Sequence, residues 1–125
     1  MTQKLTTICF FVASVALFAA GTAHADAAAG KALFVKTNCN SCHGMEGRGD
    51  GPVAAALDPK PRDYVVGDFK FDADKDGSAG TDADLALVIK NGAQPYGGSA
   101  MMMGNPTLSD ADIELMVVYI RSLKQ

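Results

Sequence analysis

The stretch Cys39-Asn40-Ser41-Cys42-His43 constrains this chain more than any other. Cys-x-x-Cys-His is the sequence form of a c-type haem attachment site. Two thiols one helical turn apart can each add to one of the two vinyl groups on one edge of a haem. The next residue, His43, then lies under the iron and can ligate it as the proximal imidazole. Two other uses of a Cys-x-x-Cys pair fit less well. A redox pair expects a βαβ frame, and the pattern downstream is helical. A zinc site expects four ligands, and beyond residue 25 the cysteines and histidines are only Cys39, Cys42 and His43.

The N-terminus reads as an export signal. Lys4 gives a short positive segment, residues 8–20 are almost wholly apolar, and Ala23-His24-Ala25 is an A-x-A cleavage site. Residues 1–25 are therefore expected to leave as a secretion signal, with residues 26–125 forming one domain. The rival reading is an uncleaved anchor, for which the apolar run is short of the ~20 residues of a full span. Cys9 lies too early to be a lipoprotein acylation site, and Cys9 and His24 go with the signal. The formal net charge of −3 becomes about −4 when Lys4 is lost. An acidic balance without a basic run argues against nucleic acid or an anionic membrane as partner. Export places the mature chain in the periplasm, where haem is attached to thiols. With both remaining cysteines on haem, no disulfide is expected.

The rest of the chain alternates helix and loop. Asp26 is a candidate N-cap for a helix carrying Leu33 and Phe34, with Gly30 one turn before Phe34 on the same face. A mid-helix glycine is best justified by a second helix crossing closely there. Residues 44–63 are rich in Gly, Pro and Asp and read as loop, with one helical turn at 53–57. The carbonyl of Pro52 is a candidate acceptor for the His43 Nδ1–H, a bond that would fix the ring; the alternative is that Pro52 only shapes a turn. Residues 64–71 are candidates for the pocket lining, as an extended piece or a short helix.

Asp72-Ala73-Asp74-Lys75-Asp76-Gly77 matches the first half of an EF-hand loop. The twelfth position, however, is Ala83, with Asp82 and Asp84 out of register. An acidic surface loop is the favoured reading, with a calcium-tuned module as the alternative. Thr81 with Asp84 resembles a capping box before Leu85, Val88 and Ile89, and Ser109 with Asp112 opens the last helix. That helix has an expected buried stripe of Ile113, Met116, Val117, Ile120 and Leu123.

After signal removal His43 is the sole histidine, so a second axial ligand to iron would come from methionine. Met45 is too close to His43 to reach the opposite haem face, and Met116 falls on the core stripe. Met101, Met102 and Met103 remain, in a glycine-flanked loop that core packing does not explain. Met102 ranks first, Met101 next, then Met103.

Taken together, these residues resemble the class I c-type cytochromes of the small monohaem bacterial kind. The resemblance covers residues 26–125. It rests on Gly30-x-x-x-Phe34, Cys39-x-x-Cys42-His43-Gly44, Gly51-Pro52, Val88-Ile89-Lys90-Asn91-Gly92, the methionine loop, and Leu108-Ser109-Asp110 with Tyr119-Ile120-Arg121-Ser122-Leu123. It implies an all-α cytochrome c fold, with three to five helices and loops around one covalent haem c. It further implies helices crossing near Gly30, Phe34 and Tyr119, a Pro52–His43 bond, and a methionine loop over the distal face. Arg62, in Asp58-Pro59-Lys60-Pro61-Arg62-Asp63, is a candidate partner for a haem propionate, or else a solvated surface arginine. One departure stands out. The family's ligand methionine is usually followed by proline, and no Met-Pro occurs here. Counting back from Leu108-Ser109-Asp110 points to Met101 or Met103, and counting forward from Ser99 to Met102.

The expected function is a periplasmic electron carrier with His/Met ligation, docking redox partner proteins at the exposed haem edge, as a monomer or as a subunit of a respiratory complex. No membrane contact is expected after signal cleavage. The alternative is a five-coordinate haem enzyme or gas sensor, in which the methionine is absent or detaches.

Overall fold

In a computed structural model the described residues are 20–125; Lys4 and nearly all of the apolar run at 8–20 lie outside them. Four α-helices follow in order: α1 (Ala20–Lys36), α2 (Asn40–His43), α3 (Asp82–Asn91) and α4 (Asp110–Ser122). Two 3₁₀ turns, Ala54–Ala56 and Gln94–Tyr96, punctuate the loops. Among the described residues there is no strand, and one isolated antiparallel bridge joins Gly92 to Met103. The all-α expectation holds.

The fold is built on the crossing of α1 and α4. A Cβ on Gly30 would lie 2.0 Å from the Leu115 carbonyl oxygen and 2.8 Å from Tyr119 Cβ, so only glycine lets the two backbones approach this closely. One turn on, Phe34 meets Tyr119 edge-on at 5.4 Å between ring centroids. Ile113, Met116, Val117 and Ile120 are buried as the helical period predicts, Leu123 packs partly buried against them, and Leu85 and Ile89 of α3 close the core. Met116 is therefore a packing residue.

Asp26 does not cap α1. The helix is already running from Ala20, because the alanine-rich stretch before Asp26 favours helix. Ala23-His24-Ala25 lies inside this helix.

Both later caps form. Thr81 Oγ1 accepts from the Asp84 N–H at 3.2 Å while Asp84 Oδ2 accepts from the Thr81 N–H at 2.8 Å. Ser109 Oγ accepts from the Asp112 N–H at 3.1 Å. Residues 64–67 form a turn rather than an extended piece or a helix: Asp63 Oδ1 accepts from the N–H groups of Val65 and Val66 and caps it. In the acidic loop, Asp72, Asp74 and Asp76 accept from the N–H groups of Asp76, Gly77 and Ser78, so the carboxylates brace the turn itself. Asp84 is not merely out of register. Its Oδ1 reaches back to the Ala73 and Asp74 N–H groups, at 2.6 and 3.3 Å, and ties the loop to the start of α3. Oxygens of Asp72, Asp74 and Asp84 come within 4.8 Å of one another.

Candidate functional site

Local backbone geometry presents the Cys-x-x-Cys-His segment. After α1, Asn38 adopts a left-handed conformation (φ 63°), and the Cys39 N–H bonds back to Phe34 O at 3.0 Å, turning the chain into α2. Asparagine is among the few non-glycine residues that visit this region readily. The His43 N–H to Cys39 O bond, 3.0 Å, closes the turn that brings Cys39, Cys42 and His43 together. Both thiols are half-buried and unpaired. Cys39 Sγ lies 3.2 Å from Thr37 Oγ1, and burial keeps this thiol's pKa above its ordinary value, with the Thr37 contact opposing.

His43 is buried, 6% exposed, and its Nδ1 lies 3.1 Å from the carbonyl oxygen of Arg62. An imidazole that donates from Nδ1 keeps its lone pair on Nε2. Burial lowers the His43 pKa and outweighs the Arg62 carbonyl, which acts the other way, so the neutral ring is favoured. Tyr64 stacks on the imidazole at 4.6 Å and 17°, and Phe34 tilts against it at 6.4 Å. Tyr64 is itself buried, which pushes its phenol well above the ordinary range.

The carbonyl that holds His43 is thus not that of Pro52. The Gly49, Gly51 and Val53 N–H groups bond to the carbonyls of His43, Cys42 and Ser41, laying residues 49–53 along the back of α2. Pro52 is exposed there, beside Asn40, Met45 and Arg48, away from the imidazole. The chain returns to the ring only ten residues later, where Tyr64 N–H bonds to Gly47 O at 2.7 Å and delivers the Arg62 carbonyl.

A cavity of ≈ 230 Å³ opens over His43. Its walls are mainly apolar: Leu57, Tyr64, Phe69, Phe71, Leu85, Val88, Ile89 and Ile120, with Cys42 and His43 on one side. Met101 and Met102 also line it, Met102 half-buried and Met101 64% exposed, whereas Met103 is 81% exposed and outside the lining. Cys39 packs against the core beside the cavity. Lys60, Arg62 and Lys70 are the cationic lining residues.

The methionine loop is fixed to the end of α3. The Ala93 N–H bonds to Met102 O at 3.0 Å, the Met102 N–H to Ser99 O at 3.1 Å, and the Asn105 N–H to Ile89 O at 2.9 Å. A Cβ on Gly104 would strike the Asn91 and Gly92 backbone at 2.4 Å, so a glycine there is what lets the loop dock.

One buried carboxylate, Asp84, also borders the cavity. Burial alone would raise its pKa, but the Thr81 N–H and hydroxyl together with the Ala73 and Asp74 N–H groups outweigh it and hold the carboxyl below its ordinary value.

Apolar walls, a neutral imidazole with its Nδ1 engaged, and a lining that also holds a thiol, two methionines and three cationic residues suit a flat apolar macrocycle bearing two carboxylates and a metal. The cytochrome c family profile matches residues 27–124. The chain belongs to the cytochrome c family. As a cytochrome c it is an electron-transfer haem protein, binding haem c covalently and exchanging electrons with redox partners. It is similar to cytochrome c-552 of Nitrosomonas europaea, 36% identical over 90% of this chain and 91% of that one. It is also similar to cytochrome c-554(547) of Halothiobacillus neapolitanus, 36% identical over 79% of this chain and 98% of the relative. Among solved structures it resembles a chain of the Kuenenia stuttgartiensis reducing HAO-like protein complex, with a TM-score of 0.63 and 30% identity over 81% of this cytochrome c. It spans only 44% of that longer chain. None of the described helices of this cytochrome c is long and apolar enough to cross a membrane.

Three contributions to the site were not read from the sequence: the Arg62 carbonyl, the Asp84 carboxylate, and Lys60 with Lys70 among the cavity cations. The local signals were Lys60 and Arg62 on either side of Pro61 for the cations, and the Thr81–Asp84 spacing for Asp84, which pointed to its cap alone.

Proposed function

We propose that this cytochrome c is a periplasmic one-electron carrier. In this reading Cys39 and Cys42 would hold a single haem c and His43 and Met102 would hold its iron, after removal of residues 1–25. The observation that carries it is that His43, with its Nδ1 engaged by Arg62, and Met102 line one cavity. Bound there, the haem supplies a one-electron Fe(III)/Fe(II) couple.

The protein's own residues do the rest. The Arg62 carbonyl orients the imidazole and makes it the better donor. Met102, a soft thioether, favours the reduced state and raises the potential. Its fixed backbone limits rearrangement between the two states, which keeps transfer fast. The apolar walls would exclude water, and the Arg62 side chain, which lines the cavity with Lys60 and Lys70, would pair with a propionate. If His43 and Met102 both hold the iron, no open site would be left for a substrate, which favours a carrier over an enzyme. The surface around Asn40, Ser41 and the methionine loop is where redox partners would dock. The sequence has no lysine cluster, which makes a strongly acidic partner patch unfavourable.

Intact mass of the exported holoprotein tests the first part: residues 26–125 plus one haem is expected, and any other haem count overturns it. Carbon monoxide added to the reduced protein tests the second. A six-coordinate carrier binds it slowly or not at all, and rapid binding would mark a five-coordinate enzyme or sensor.

A further inference from the structure

Two methionines, not one, line the cavity that holds His43. The Met102 N–H to Ser99 O bond makes residues 99–102 a tight turn, and the Met101 N–H bonds to Ser99 Oγ at 3.2 Å. The turn curls the chain so that residues 101 and 102 both line the cavity, where in an extended strand neighbours would point to opposite faces. Extended geometry resumes at Met103, which bridges to Gly92 and stays 81% exposed outside the lining.

We propose that Met101 and Met102 are interchangeable ligands for one iron, with Met102 the resident and Met101 its built-in replacement. This rests on the reading above that a methionine of this loop ligates haem. The backbone of both residues is pinned, so the exchange needs only rotation about side-chain bonds, of which methionine has three. Met101 is 64% exposed, so moving its thioether into an apolar cavity vacated by Met102 removes apolar surface from water. Loss of Met102 therefore leaves a thioether of the same chemistry within the same walls. The absence of Met-Pro is consistent with this device, since a proline after either residue would remove the N–H that holds the Ser99 turn or restrict the residue before it.

The test compares ferric holoproteins carrying M101A, M102A, M102L, M103A and the M101A/M102A pair, read by the weak far-red band of sulfur–iron ligation. Intact mass confirms haem attachment in each. M102L keeps the side-chain volume without a ligating sulfur, in case M102A does not fold. All single variants are expected to keep the band, with its position shifted only in M102A and M102L, and the double variant to lose it and become high-spin. Loss of the band in M102L, or in M101A, overturns interchangeability while leaving a single methionine ligand in place. A band retained in the double variant also overturns it. Absence of the band in the unmodified protein would instead sink the His/Met reading itself.

Discussion

Gly30→Ala isolates the close contact on which the fold depends. The added Cβ would lie 2.0 Å from Leu115 O, 2.7 Å from Leu115 C and 2.8 Å from Tyr119 Cβ. Non-bonded atoms settle near 3.5 Å, so α1 and α4 would have to part by about 1 Å or more. The obstruction is backbone, which cannot rotate aside, so the upper end of the ~1–3 kcal/mol typical of overpacking applies. Alanine's better helix propensity returns about 1 kcal/mol. The net loss is about 2 kcal/mol, a Tm decrease of roughly 8–16 °C in a domain of this size. Thermal unfolding of the holoprotein followed by circular dichroism measures it, with Lys31→Ala as an exposed control expected to stay within ~0.5 kcal/mol. A Tm that rises in Gly30→Ala, as for an exposed helical glycine, would refute the close crossing.

Met116→Ala should cost about 2–5 kcal/mol, because Met116 is 1% exposed in the core, yet leave the sulfur–iron band untouched; loss of the band would contradict its packing role. Asp84→Asn should lower Tm at neutral pH, since an amide turns a donor toward N–H groups that both carboxylate oxygens now accept. The folded Asp84 pKa is depressed, so its stabilisation is present above the ordinary aspartate value of ~3.9 and lost as pH falls through the lower folded value. The Tm gap between wild type and Asp84→Asn should therefore narrow below pH ~4, and a gap that widens there would contradict the assignment. Calcium should leave Tm unchanged, because the loop carboxylates already accept from backbone N–H groups; a concentration-dependent rise would overturn that.

Features set by near neighbours were legible from the sequence. The haem motif, the caps at Thr81 and Ser109, the buried stripe of α4 and the glycine at the crossing each depend on spacings within one or two helical turns. What spacing could not reveal depended on where a loop returns. Pro52 is nearer to His43 in sequence than Arg62, but residues 49–53 are bonded along α2, and the ring is met ten residues later. Asp84 read as a capping residue, and it is one. Its second set of bonds, to residues 73 and 74, needed the loop to fold back, which no periodicity encodes. Asp26 was misread as a cap because the alanines before it continue the helix.

The most direct test of the proposed carrier is the optical spectrum of the purified holoprotein, oxidised and then reduced. A far-red sulfur–iron band in the ferric form with sharp low-spin bands in the ferrous form is the predicted result. A high-spin spectrum would show that the methionine loop is not on the iron, and would contradict the carrier function drawn from this cavity.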